Sequence, residues 1–164
     1  MKKYLIIRVF ALAAFFVALS AFIVPEQPAK NNYSGEKFTK LSIALNSKVY
    51  IEQGSEYKLD IQADEATLEK IVVEYKSDEL QIKSKSGSRI SEQVVIKIVA
   101  PVLNEISLAG SADLFIEKTF ETEEMDMDIA GSGSMNISDL RSGKVSASIA
   151  GSGDLLLAGG KTGS

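Results

Sequence analysis

Asp113 and Asp154 are the carboxylates whose spacing invites chemistry. Each closes a small-residue corner, Gly110-Ser111-Ala112-Asp113 and Gly151-Ser152-Gly153-Asp154, and Ser134 holds the same place in the intervening Gly131-Ser132-Gly133-Ser134. Glycoside hydrolysis uses two opposed carboxylates, and polysaccharide lyases use a base, often with calcium. Three corners stacked at strand spacing would set the two acids ~9–10 Å apart, a separation that an inverting pair uses. They would share one convex corner, however, rather than face each other across a cleft. Asp beside a turn glycine ordinarily serves local backbone hydrogen bonds, so neither acid is assigned a catalytic role.

Other chemistries fail on residue type. The chain has no His and no Cys, which removes the usual neutral-pH proton shuttle, a cysteine nucleophile, disulfides and zinc-finger ligand sets. Ser132 and Ser152 therefore have no His to complete a serine triad. The Gly-Ser-Gly corners lack the Lys and following helix of a phosphate loop. A calcium-binding nonapeptide repeat aligned on Gly151 and Gly153 would need Asp where Leu155 stands and Gly where Ala150 stands. Asp126, Asp128 and Glu105 share an outward face and are read as a solvated acidic surface rather than a cation site. No catalytic, metal-ligating or cofactor-binding residue is assigned, and no cofactor is expected.

What remains is a surface. Phe115, Asn136 and Leu156 fall at one outward position of three successive copies, and two of the three are apolar. A column of such residues on a rigid sheet makes a candidate contact surface.

These residues are positioned by a repeat. LAGSADLFI (108–116), IAGSGSMNI (129–137) and IAGSGDLLL (149–157) are copies of one segment, with Gly110, Gly131 and Gly151 separated by 21 and then 20 residues. Superposing the copies aligns Leu108 with Ile129 and Ile149, Leu114 with Met135 and Leu155, and Ile116 with Ile137 and Leu157. The alternate positions Ser107, Asp128 and Ser148 are polar. One copy cannot bury its own apolar face, whereas stacked copies build a shared core. The pattern predicts an all-β, right-handed parallel β-helix (β-solenoid) with roughly 20-residue coils. Its structural corners are Gly110, Gly131, Gly133, Gly151 and Gly153, where a sharp turn leaves no room for a side chain.

Upstream, Leu41, Ile43 and Leu45, then Val49 and Ile51, Leu59 and Ile61, Ile71, Val73 and Tyr75, and Leu80 and Ile82 alternate with polar residues, marking half-buried strands. Residues 94–100 (VVIKIVA) are nearly apolar throughout, predicting a strand buried on both faces. Residues 64–69 have a short helical look. Residues 25–37 carry Pro, Asn and Gly without periodicity and read as a linker, leaving 38–164 as the β-helix domain.

The first 24 residues set a basic start (Lys2, Lys3, Arg8) before the apolar run VFALAAFFVALSAFIV. That order predicts a secretory signal peptide cleaved near Ser20 or Ala21, or an N-terminal membrane anchor if it is left uncleaved. Export to the periplasm, outer surface or medium is expected in both cases. Three of the 18 basic residues and none of the 22 acids lie in this segment, so the remainder carries a net charge of −7. That charge disfavours nucleic acid and anionic lipid as partners. At the other end, residues 161–164 occupy the place of residues 141–144, which lead into a strand. The repeat therefore predicts a chain incomplete at its C-terminus, with a further corner near position 171. It also predicts self-association through the open solenoid end.

Residues 49–65 (VYIEQGSEYKLDIQADE), 79–83 (ELQIK) and 94–114 (VVIKIVAPVLNEISLAGSADL), followed by the repeated GSGS and GSGD, resemble the autotransporter-adhesin head (GIN) domain family of exported Bacteroidetes-type proteins. The resemblance covers roughly residues 38–164. It implies a right-handed β-helix, a role in cell adhesion and no catalytic residues. Ala112 and Ser134 depart from the corner pattern. The expected function is a non-enzymatic exported binding module for an unidentified glycan or protein. A carbohydrate-active enzyme and a structural envelope protein are the alternatives.

Overall fold

Period-two alternation becomes strands along nearly the whole chain. The computed structural model describes residues 29–158. In chain order the elements are β1 (Ala29–Ser34), β2 (Lys40–Ala44), β3 (Ser47–Gln53), β4 (Lys58–Ala63), α1 (Glu65–Leu68), β5 (Ile71–Lys76), β6 (Glu79–Ser84), β7 (Val94–Ala100), β8 (Glu105–Gly110), β9 (Asp113–Gly131), β10 (Ser134–Gly151) and β11 (Asp154–Leu157). The signal or anchor segment 1–24 and the terminal residues 161–164 lie outside the described residues, and no described helix is long and apolar enough to cross a membrane.

The eleven strands form one mixed sheet in the order β1-β4-β7-β3-β9-β8-β2-β6-β5, with β10 joined to β9 and β11 to β10, curled into a half-barrel. This overturns the expected right-handed parallel β-helix. The pairs β1–β4, β4–β7 and β5–β6 are antiparallel, while the pairs among β2, β3 and β6 to β11 are otherwise parallel. The reason is local. Lys76 pairs with Glu79 across the two-residue turn Ser77-Asp78, with Ser77 at φ +56°, and so tight a reversal can only join antiparallel strands. The glycine corners govern the C-terminal part and say nothing about these upstream reversals.

Within β8 to β11 the copies lie in parallel register. Leu108, Ile129 and Ile149 are successive partners, as are Leu114, Met135 and Leu155, and Gly110, Gly131 and Gly151. The offset between β9 and β10 falls from 21 to 20 residues between Ile137 and Asp139, so a β-bulge around Glu117 and Lys118 accounts for the unequal glycine spacing.

The core lies on the inner face of the sheet, where Leu41, Ile43, Val49, Ile51, Leu80, Ile82, Ile96, Ile106, Leu114 and Met135 are buried. Three local expectations change. β7 buries Val94, Ile96, Ile98 and Ala100 but exposes Lys97, so it is buried on one face rather than two. Part of the segment read as a linker, Ala29–Ser34, is β1, paired residue for residue with β4. The helical stretch is a single turn capped by Asp64, whose Oδ1 accepts from the Thr67 N–H at 2.8 Å.

Candidate functional site

The corners are built for close approach of backbone to backbone. Gly131 and Gly151 have φ of +135° and +129°, and a Cβ on either would strike the carbonyl oxygen of the corner beneath, Gly110 O or Gly131 O. Gly133 has ordinary φ, but its Cβ would meet Ala112 O, and a Cβ on Gly153 would lie 2.5 Å from Ile129 Cγ2 and 2.7 Å from Gly133 O. Gly110 has φ +89° with open space around its Cβ position, so conformation alone selects glycine there. The corners bond to one another: Ser132 N–H donates to Gly110 O (2.8 Å), Ser134 N–H to Ala112 O (3.0 Å) and Ser152 N–H to Gly131 O (2.8 Å).

Asp113, Ser134 and Asp154 follow one another across three parallel strands. The Ser134 hydroxyl donates to Asp113 Oδ1 at 2.7 Å, so that carboxylate serves a cross-strand bond. Glu105 pairs across the ladder with Asp126 and lies 3.7 Å from Lys40, and among the described residues no group of three acids is placed to hold a metal ion.

The outward face of β4, β7, β3, β9, β10 and β11 is different. Register places Asp60, Lys97, Tyr50, Phe115, Asn136 and Leu156 in one row across six strands. Val49 and Ile51 point into the core, so Tyr50 between them points out, and the same alternation turns Phe115 outward between Leu114 and Ile116. The Tyr50 and Phe115 rings stack with centroids 5.4 Å apart and planes 22° from parallel. Leu156 at the end of the row is 59% exposed. Beside Tyr50, a depression of about 480 Å³ is lined by Tyr50, Glu52, Gln62, Val95 and Lys97. Glu52 also receives Lys118 at 3.1 Å, reached from the bulge in β9. Phe115, Asn136 and Leu156 are thus brought together, whereas Tyr50, Lys97, Gln62 and Glu52 go unnoticed in the sequence. Alternation alone marks Tyr50 as outward. Its pairing with Phe115, 65 positions along the chain, has no local signal.

The fold and face define a class: an all-β scaffold presenting an outward row of aromatic and polar side chains, with the Asp113 carboxylate engaged in a cross-strand bond. Residues 37–164 match the family model described as "Putative auto-transporter adhesin, head GIN domain", and the chain belongs to that family. The family description and its solved neighbours speak of adhesins, not of enzymes. The fold resembles a crystal structure of a putative adhesin from Bacteroides fragilis (TM-score 0.77, 25% identity, covering 82% of this chain and 63% of that one). It also resembles a putative lipid binding protein from Parabacteroides distasonis (TM-score 0.74, 20% identity, 84% and 60% covered). A putative adhesin from Parabacteroides merdae is similar too (TM-score 0.68, 14% identity, 76% and 53% covered). The chain therefore spans between 53% and 63% of the length of these structures. None of the curated proteins compared with it matches.

Proposed function

We propose that the chain is an exported, non-enzymatic adhesion module that holds its ligand on the outward row Lys97–Tyr50–Phe115–Asn136–Leu156. The observation that carries the proposal is the stacked Tyr50–Phe115 pair leading into the exposed Leu156 on a rigid sheet, in a family described as adhesin heads. Aromatic rings offer large contact area at little conformational cost, which suits recognition. Export rests on the basic start and apolar run of residues 1–24.

The test uses immobilised mucin as probe, because it displays both glycans and peptide. Beads coated with the protein should attach, and the double variant Phe115→Ala, Leu156→Asp, with its melting temperature checked, should not. Attachment that survives this variant would remove the row from the account. An epitope tag accessible on intact cells supports export, and a tag reached only after lysis contradicts it. Turnover of uronic-acid polysaccharides that is lost in Asp113→Ala or Asp154→Ala would replace the proposal with an enzymatic one.

A further inference from the structure

We infer that the depression beside Tyr50 is a subsite for a neutral hexopyranose unit of a glycan, an assignment that rests on the adhesion reading above and names its ligand class. The lining combines one cation (Lys97), one anion (Glu52), an amide that both donates and accepts (Gln62), a small apolar side (Val95) and the aromatic ring of Tyr50. A sugar hydroxyl both donates and accepts, so a neutral sugar satisfies all three polar groups at once. Its axial C–H groups carry partial positive charge, which the negative face of an aromatic ring attracts.

The competing ligand classes fit less well. An anionic group at Lys97 would also sit against Glu52, and although Glu52 is paired with Lys118, like charges at that range repel. An acyl chain would leave the Lys97 ammonium without a partner when it covered it, whereas Glu52 keeps Lys118 and the Gln62 amide keeps Asp60. The Lys97 ammonium and the Tyr50 hydroxyl make no hydrogen bond or ion pair among the described residues, so both are available as donors. The volume of about 480 Å³ accommodates one sugar ring with its hydration.

The probes are neutral β-linked glucan, galactan and mannan oligomers, with polygalacturonate and phosphatidylcholine vesicles as the other arms, titrated against the full chain by calorimetry. At least one neutral oligomer should bind. Tyr50→Ala should then weaken it about tenfold or more, as loss of a stacking ring does, and Lys97→Met and Gln62→Ala should each weaken it several-fold. Tyr50→Phe, which keeps the ring and the fold, should retain most of the affinity. Binding of a neutral oligomer that is indifferent to Tyr50→Ala in a folded variant overturns the subsite. So does binding of polygalacturonate or vesicles alone, or of no probe at all. In those cases mucin attachment that still depends on Phe115 and Leu156 leaves the adhesion face standing.

Discussion

A backbone carbonyl from the neighbouring corner sits where a Cβ of Gly131 or Gly151 would go, and both residues also hold positive φ. Val at either position is therefore strained twice, by about 1–3 kcal/mol from φ alone, with the steric clash in addition. Ser132→Ala at the exposed neighbouring position should stay within about 0.5 kcal/mol of the parent. Chemical denaturation of the three variants checks this, and unchanged stability of Gly131→Val would contradict the corner geometry. Glu74 carries a second prediction at this scale. Its carboxylate is held below the usual range by hydrogen bonds from Lys83 and then Lys76, at 2.8 and 2.9 Å. A lowered folded-state value contributes stability above the unfolded pKa that is lost as pH falls through the folded one. Glu74→Gln should consequently flatten the acid limb of a plot of melting temperature against pH, whereas an unaltered acid limb would show that the cross-strand cluster contributes nothing. The glycine positions are legible in the sequence because the positive φ recurs in each copy, at Gly110, Gly131 and Gly151. The partners of Glu74 are not, because Lys83 reaches it only once β5 and β6 pair.

Strand identity is readable wherever one face is buried, as Leu41 and Ile43 or Leu80 and Ile82 show, because the inner face selects every second residue. Strand direction is not. The Ser77-Asp78 reversal and the antiparallel β4 come from connection lengths that carry no hydrophobic signal. β1 escapes notice because Ala29–Ser34 contains little apolar alternation and is held instead by its ladder with β4. The 21-and-20 spacing, by contrast, was a visible trace of the bulge near Lys118. One side chain ties these elements together. Gln53 donates to Pro101 O and to Glu121 O, both at 2.8 Å, and accepts from the Glu121 N–H at 2.9 Å, joining β3, the β7–β8 connection and β9. Gln53→Ala should cost about 1–3 kcal/mol, since a net hydrogen bond is worth roughly 1 kcal/mol. Thermal unfolding of Gln53→Ala beside Gln93→Ala, an exposed control before β7, measures the difference, and equal melting temperatures would show that the clamp is incidental.

Across the molecule, burial grades from the middle of the sheet to the β11 edge. Ile129 is 3% exposed, while its ladder partner Ile149 is 46% exposed, and Leu157 is 38% exposed where Ile137 is fully buried. Ile129→Ala should therefore cost about 2–5 kcal/mol, and Ile149→Ala, in the same copy position, well under half of that. Equal costs would mean that something covers Ile149 in solution. The sequence shows the two isoleucines as equivalents, because their difference arises from place in the sheet and not from local pattern. The same holds for the contact face: Phe115, Asn136 and Leu156 follow from the repeat, while Tyr50 and Lys97 join them only through β3 and β7.

The central claim is that ligand is held on the row from Lys97 to Leu156. Covalent footprinting of the folded chain with and without mucin tests it most directly. The predicted result is protection of Lys97, Tyr50, Phe115 and Leu156, with Lys40 and Asp128 labelled equally in both samples. Protection of Lys40 and Asp128 on the β2, β8 and C-terminal β9 surface, with Tyr50 and Phe115 unchanged, would contradict it.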